Sequence, residues 1–198
     1  MLRKSILTIL AVAINIAAQV NTPRPYPIDM NHSTVGFSVP IMGGLSKVKG
    51  KFTDFNINLT NDEKDITKSS VNVVIKATSV DTGIEGRDKH LRTADFFDVE
   101  KFPEITFQSS RIEKRGKQLI AHGTLTMHGV SKEIALPFAI TGMSENAEKT
   151  KKNIGYSASI VLNRRDYAIN YTHKTVPNFI GDSITVEIDL ITRAIDVK

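Results

Sequence analysis

The sequence predicts an all-β protein, a single domain of about eight antiparallel strands. Apolar residues recur at every second position in one segment after another, which turns one face of each strand toward a core and the other toward water. Glycine, asparagine and aspartate cluster between these segments, as they do in the short turns that join antiparallel neighbours. The 198 residues include no cysteine, so the fold depends on packing and backbone pairing rather than on disulfides.

Residues 1–19 have the pattern of a secretory signal peptide. Arg3 and Lys4 precede an apolar run that reaches Ala18, and this run is shorter than the roughly 20 residues that span a bilayer. We expect residues 1–19 to be removed on export, which leaves no integral membrane span and a periplasmic or secreted protein. An uncleaved anchor is the alternative. Residues 20–27 are rich in proline and predict an extended spacer, so the folded domain is expected over residues 28–194.

The alternation of apolar and polar residues defines the strands. In the first of them, Val35, Phe37, Val39 and Ile41 alternate with small or polar residues. The segments with this pattern are 35–41, 55–59, 71–77, 105–107, 119–127, 134–140, 156–162 and 184–190. Closing such a sheet removes its exposed edges, so we expect a barrel. A barrel of about eight strands is either filled by its own side chains or holds one slim ligand, and the mixture of large and small inward residues fits both.

One segment breaks this period. Arg87, His90, Leu91, Ala94 and Phe97 are spaced three or four positions apart and therefore share one helical stripe. This spacing predicts a short helix over about residues 86–97, which packs on the sheet or across an open end of the barrel.

Composition and motifs argue against several classes of function. The net charge of +5 is modest and both signs are interspersed, which does not favour a nucleic-acid partner. The five histidines are scattered without the spacing of a metal site. The sequence also lacks a nucleophile elbow, a phosphate-binding loop and a dinucleotide fingerprint. We therefore predict no catalytic residues, no metal and no cofactor other than a bound lipid.

Several segments, in this order, resemble the YceI-like family of lipid-binding proteins. They are HSTVGFSV at 32–39, SKVKGKF at 46–52, short matches at 82–83, 87–88 and 90–91, DFFDV at 95–99, FPEITF at 102–107, GTLTMHGV at 123–130, NRRDY at 163–167 and GD at 181–182. The resemblance implies an elongated lipocalin-like barrel of eight antiparallel strands with one helix, an apolar channel for a long isoprenoid or similar amphiphile, and export to the periplasm. Pro40 and Ile41 depart from a basic residue and a histidine that are frequent in the family, and Ala168 from a frequent glycine.

The inward apolar residues are the candidates for a lipid-binding lining. We predict that it consists of Phe37, Val39, Phe52, Phe55, Phe96, Phe97, Phe107, Leu125, Phe138 and Ile188. Each buried methylene contributes roughly 0.8 kcal/mol, so a long chain can bind tightly without strong polar contacts. Ordinary core packing is the alternative role for each of these residues.

Three basic residues are candidates for contacts with a polar head group. They are Arg87, His90 and Arg164, since a guanidinium fork suits a phosphate or a quinone carbonyl. The alternative is structural: Arg87 with Asp88, and Arg164 with Asp166, would form ion pairs that hold the helix and a late loop against the barrel.

The sequence thus predicts an exported binding protein, not an enzyme, that stores, transports or sequesters a long-chain isoprenoid, a quinone or a similar amphiphilic lipid. Two alternatives remain. One is an enzyme that acts on an amphiphile in the barrel, with His90 or His173 as acid or base. The other is a ligand-free extracytoplasmic interaction or stress module with a solid core. A homodimer is compatible with all three.

Overall fold

The computed structural model describes residues 23–176 and 178–197. In this part of the chain, twelve strands form one sheet in which every pairing is antiparallel. The strands are β1 (Arg24–Tyr26), β2 (Thr34–Ile41), β3 (Ser46–Phe52), β4 (Phe55–Asn61), β5 (Ser70–Lys76), β6 (Val80–Asp81), β7 (Glu104–Arg115), β8 (Gln118–Met127), β9 (Val130–Glu145), β10 (Lys151–Asn163), β11 (Ser183–Ile191) and β12 (Ile195–Asp196). The single α-helix of the described residues, α1 (Glu85–Leu91), lies between β6 and β7. The predicted all-β antiparallel fold is confirmed.

The order of the strands is β1-β4-β5-β7-β8-β9-β10-β11-β2-β3-β6, with β12 paired to β10. The chain itself joins the two ends of this order, because β4 directly follows β3 after Thr53 and Asp54. The Thr53 N–H donates to the Ser79 carbonyl at 3.1 Å, and the Lys76 N–H donates to the Asp54 carbonyl at 2.9 Å. Backbone pairing therefore continues around this corner, and the sheet curls into a barrel-like wall.

The predicted count of eight strands is wrong, since there are twelve. Two of the additional strands, β3 and β6, lie beside the corner of the sheet. The corner separates β3 from β4, and the 3₁₀ turn Ala77–Ser79 separates β6 from β5. The other two are β1 and β12, of three and two residues, which are too short to show an alternating pattern.

The proline-rich segment that we predicted as a spacer contributes to the sheet. Its residues Arg24–Tyr26 form β1, which pairs with β4 and places Tyr26 opposite Leu59. The Tyr26 side chain is buried. Prolines are tolerated there because β1 stands at an end of the strand order. The predicted signal peptide, residues 1–19, lies outside the described residues.

The helix is shorter than the predicted span of about residues 86–97. It ends at Leu91, and the following residues form turns in which the Phe97 N–H donates to the Leu91 carbonyl at 3.0 Å. The Thr93 hydroxyl donates to the His90 carbonyl at 2.8 Å, a local hydrogen bond that competes with continuation of the helix. Phe96 and Phe97 therefore lie on a turn after α1 rather than on its stripe.

The two ends of the barrel-like wall differ. The connections 42–45, 82–103, 128–129 and 164–182 meet at one end together with α1, and we call this the helix end. The connections 62–69, 116–117 and 146–150 meet at the opposite end, which we call the Glu63 end. No helix of the described residues has the length and apolar character that crossing a bilayer requires.

Candidate functional site

A cavity of about 520 Å³ lies inside the curled sheet at the helix end. We call it the main cavity. Its volume falls within the roughly 300–1,000 Å³ of small-molecule sites, and its walls are predominantly aliphatic and aromatic, as such sites require. The interior is therefore not filled by the protein's own side chains, and the alternative of a solid core does not hold.

Strand alternation builds the wall of this cavity. Along β11, Ile184, Val186 and Ile188 line the cavity, whereas the intervening Glu187 is exposed. Along β10, Ile160 and Leu162 line the cavity in the same way, and Val161 between them is exposed. The period of two read from the sequence thus decides which residues face the interior.

Most of the predicted lining residues border the main cavity. They are Phe37, Val39, Phe52, Phe96, Phe97, Phe107, Leu125 and Ile188. Phe138 borders a second, smaller cavity instead. Phe55 borders neither of these two cavities, because it follows the β3–β4 corner and packs in the core opposite Ile75.

The prediction missed the contribution of the loop between β10 and β11. Ile169, Tyr171, Phe179 and Ile180 come from this irregular segment and line the main cavity. They follow no period, so pattern analysis could not place them. Only the composition of this loop could have indicated that it lines the interior, since apolar and aromatic residues are unusual in a loop that only faces solvent.

The second cavity, of about 100 Å³, lies toward the Glu63 end. Five residues line both cavities and so stand between them: Val35, Ile75, Phe107, Leu136 and Ile188. We call these five residues the collar. The two cavities are therefore arranged one behind the other along the barrel-like wall.

His90 and Tyr171 form an aromatic wall of the main cavity together with Phe96. The His90 ring stands edge-on to both Phe96 and Tyr171, with ring centroids 5.1 Å apart in each case. His90 Nε2 lies 2.7 Å from a carboxylate oxygen of Asp95. Both side chains of this pair are partly exposed, so the cavity reaches solvent beside α1.

Arg87 does not form the expected ion pair with Asp88. Instead, both side chains hold Thr82: Arg87 Nε donates to the Thr82 hydroxyl at 2.7 Å, and Asp88 accepts from the Thr82 N–H at 2.9 Å. Arg87 Nη2 donates to the Thr82 carbonyl at 2.8 Å. The remaining nitrogen, Nη1, makes no hydrogen bond with the described residues, so Arg87 keeps one donor at the cavity.

Arg164 has the structural role that we considered as the alternative. Its ion-pair partner is Asp182, however, and not the predicted Asp166. The buried guanidinium donates to the carbonyls of Ile169 at 2.7 Å and Gly181 at 3.1 Å, and its Nη2 lies 2.8 Å from Asp182. Burial lowers the pKa of Arg164, and the Asp182 carboxylate opposes this effect. Each of its three nitrogens makes one of these contacts and the residue is only 4% exposed, so Arg164 serves the fold rather than a head group.

His173 also lines the main cavity. Its Nδ1 accepts hydrogen bonds from the N–H groups of Thr175 at 3.3 Å and Val176 at 3.1 Å, which places the proton of a neutral ring on Nε2. His173 therefore offers a second donor near the helix end. In residues 23–176 and 178–197, no three His, Asp or Glu side chains converge as a metal site would require.

The comparison with known families agrees with this architecture. The sequence pattern of the YceI-like domain matches residues 26–192. The chain belongs to the YceI-like family. The protein YceI of Escherichia coli O157:H7 is 35% identical over 170 residues, which cover 85% of this chain and 88% of that protein.

Solved structures show the same fold. The crystal structure of the Campylobacter jejuni YceI protein is 32% identical, with a TM-score of 0.64, over 78% of this chain and 87% of that one. A polyisoprenoid binding domain from Saccharophagus degradans is 18% identical, with a TM-score of 0.62, over 86% of this chain and 98% of that one.

Two departures of this YceI-like chain from the family's pattern have structural consequences. Ala168 adopts a φ of 58°, the left-handed region that favours glycine, so the turn keeps the geometry of a glycine turn. Pro40 accepts a hydrogen bond from the Gly181 N–H at 2.8 Å, and Ile41 lines the main cavity. The opening of the main cavity at the helix end is therefore apolar beside Ile41.

Proposed function

We propose that this protein binds a long-chain isoprenoid or a similar amphiphilic lipid, with the apolar chain in the main cavity and the polar head at the helix end. The observation that carries the proposal is the cavity of about 520 Å³ and its nearly continuous apolar wall. The related fold described as a polyisoprenoid binding domain supports the same ligand class.

The energetics favour a long chain over a short one. Each methylene that leaves water contributes roughly 0.8 kcal/mol, whereas association costs about 4 to 15 kcal/mol. The donors available for a head group are few, namely Arg87 Nη1 and His173 Nε2. Binding therefore depends mainly on the apolar chain, and the head group adds orientation.

We further propose that the protein is exported, and that it stores, transports or sequesters its ligand rather than converting it. The apolar run within residues 1–19 supports export to the periplasm or the medium. The absence of a nucleophile motif supports binding without catalysis. The imidazole nitrogens that would serve an acid or base are partly engaged already, His90 by Asp95 and His173 by two backbone N–H groups.

The direct test is native mass spectrometry of the protein purified from its own host, followed by organic extraction. We expect one long-chain amphiphile per chain. A protein that is empty as purified, and that takes up neither a polyprenyl phosphate nor a quinone when these are added, would overturn the proposal. An extracted lipid that is chemically altered during incubation would instead indicate an enzyme.

Filling the main cavity should displace the lipid. Val39 lines the cavity but lies outside the buried core, so Val39→Trp is expected to fold and to reduce lipid retention at least tenfold. The matched control is Val161→Trp, because Val161 is 63% exposed on the outer face of β10. Phe107→Asp is a stronger variant that places a carboxylate against hydrocarbon and should abolish retention. Wild-type retention in folded Val39→Trp would exclude this cavity as the site.

A further inference from the structure

Four exposed aliphatic side chains surround the helix end of the barrel-like wall. Met42 and Leu45 lie between β2 and β3, Ile84 lies directly before α1, and Val176 lies between β10 and β11. We call these four residues the rim. Leu45 is 86% exposed and Met42 is 50% exposed. Large apolar side chains that are exposed together around a cavity mouth mark an interaction surface.

The backbone holds the Met42–Leu45 part of the rim outward. Met42, Gly43 and Gly44 all have positive φ values, of 52°, 67° and 96°. The Met42 N–H donates to the Phe179 carbonyl at 2.8 Å, which ties this turn to the β10–β11 connection. The turn is therefore fixed in place, and the exposure of Leu45 results from its geometry rather than from a loose loop.

The charges beside the rim are mostly positive. Lys47, Lys49 and Lys51 follow Leu45 on the exposed face of β3, and Lys174 lies close to Val176 in the sequence. None of these four lysines forms an ion pair within the described residues. Of the acidic side chains at this end, Glu85 pairs with Lys89, Asp98 with Lys101 and Asp182 with two arginines, whereas Asp88 and Glu100 form no ion pair within the described residues.

We propose that the rim docks on an anionic lipid bilayer, and that the ligand passes between that bilayer and the main cavity through the helix end. This inference rests on the proposed function. Aliphatic tips on separate turns enter the interfacial layer of a membrane, while adjacent lysines meet the anionic head groups. A protein partner is less suited, because lysine is depleted in protein interfaces and four exposed lysines stand beside the rim.

The first test is co-sedimentation of the protein, purified from its own host, with vesicles of phosphatidylcholine and phosphatidylglycerol in equal parts. The double variant Met42→Ser/Leu45→Ser should bind these vesicles at least about tenfold more weakly than the wild type. Both substitutions remove an apolar side chain that would enter the apolar layer of the membrane. Met143→Ser is the matched control, because Met143 is 66% exposed on β9, away from the rim. Equal vesicle binding by the rim variant and the control would overturn the inference.

The second test concerns charge. Lys47→Glu/Lys49→Glu should weaken binding to the anionic vesicles severalfold and abolish most of its dependence on salt, because unpaired lysines next to the membrane supply the electrostatic attraction. The control Lys114→Glu/Lys117→Glu makes the same change of charge with two lysines that are exposed at the Glu63 end, and it should bind as the wild type does. Equal losses in the two proteins would mean that net charge, not the rim, attracts the vesicles.

Lipid retention distinguishes this inference from the function on which it rests. By native mass spectrometry, the rim variant should still carry its lipid, whereas exchange of lipid with vesicles should be at least several times slower than in the wild type. If the wild type binds vesicles through the rim but holds no lipid, the proposed function fails and the docking surface stands. If lipid exchange is unchanged in the rim variant, the route through the helix end is wrong.

Discussion

At the scale of single residues, the neighbouring Arg164 and Arg165 form the same type of ion pair but have different roles. Both lie next to Asp182, with nitrogen to oxygen distances of 2.8 and 2.7 Å. Arg164 is only 4% exposed and also serves two backbone carbonyls, whereas Arg165 is exposed to solvent. The same type of ion pair is therefore structural in one case and peripheral in the other.

We expect Arg164→Ala to lower the free energy of unfolding by about 3 kcal/mol, because one buried carbonyl, one partly buried carbonyl and part of the Asp182 carboxylate lose their donor. Arg165→Ala should cost less than about 1 kcal/mol, as exposed ion pairs usually do. Urea denaturation of both variants measures the difference. Similar losses in the two variants would contradict the structural role of Arg164.

At the scale of elements, Glu63 connects three separate parts of the chain at the Glu63 end. It accepts hydrogen bonds from Arg24 at 2.6 Å and from the Tyr26 hydroxyl, both on β1, and from Lys152 of β10 at 2.5 Å. Partial burial raises the pKa of Glu63, but the hydrogen bonds from Lys152, Tyr26 and Arg24 outweigh it and hold the pKa at about 2. This network fastens β1 to the rest of the sheet.

The lowered pKa predicts a dependence of stability on acidity. The Glu63 carboxyl has its ordinary pKa of 4.5 in the unfolded chain and a pKa of about 2 in the folded one. Its contribution to stability is therefore complete above pH 4.5 and is lost as the pH falls toward 2. Glu63→Gln should cost about 1 to 2 kcal/mol at neutral pH and progressively less in acid.

Urea denaturation at several pH values tests this prediction. Glu100→Gln serves as the control, since Glu100 is exposed and makes no hydrogen bond within the described residues. A difference in the free energy of unfolding between the wild type and Glu63→Gln that stayed constant from neutral pH to pH 2 would contradict this prediction. The ionised Glu63 carboxylate would then not be the source of the stabilisation.

At the scale of the whole molecule, the protein keeps its interior partly empty. The main cavity and the second cavity follow each other along the wall and meet at the collar. Unfilled apolar volume lowers stability because the lining atoms lack contacts on one side. A ligand that binds only the folded state restores those contacts and raises stability by mass action.

We therefore expect the lipid-free protein to unfold at a lower temperature than the loaded one. At a free ligand concentration of about 100 times Kd, the stabilisation is about 2.7 kcal/mol, which corresponds to a Tm higher by roughly 5 to 10 °C for a domain of this size. Calorimetry of extracted and reloaded protein measures this shift. Val39→Trp should show a much smaller shift, and an unchanged Tm on reloading the wild type would contradict ligand binding inside the fold.

The sequence by itself determined the class of fold, the antiparallel pairing and the face of each strand that lines the interior, because these follow from a local period of two that Ile184, Val186 and Ile188 display on their own. Family membership followed from ordered segments of the same kind. Local patterns also located α1, although Thr93 ends the helix earlier than the stripe suggests.

Only the tertiary structure decided how far the interior is empty, which loop closes it and what each charged side chain does. Cavity volume depends on how side chains from distant strands meet, and Tyr171 and Phe179 reach the cavity from a segment that has no period. The partners of Arg164 and Glu63 lie far along the chain or in its backbone, so no local pattern could name them. Residue spacing reports on faces of one element, whereas cavities and ion pairs are set by contacts between elements.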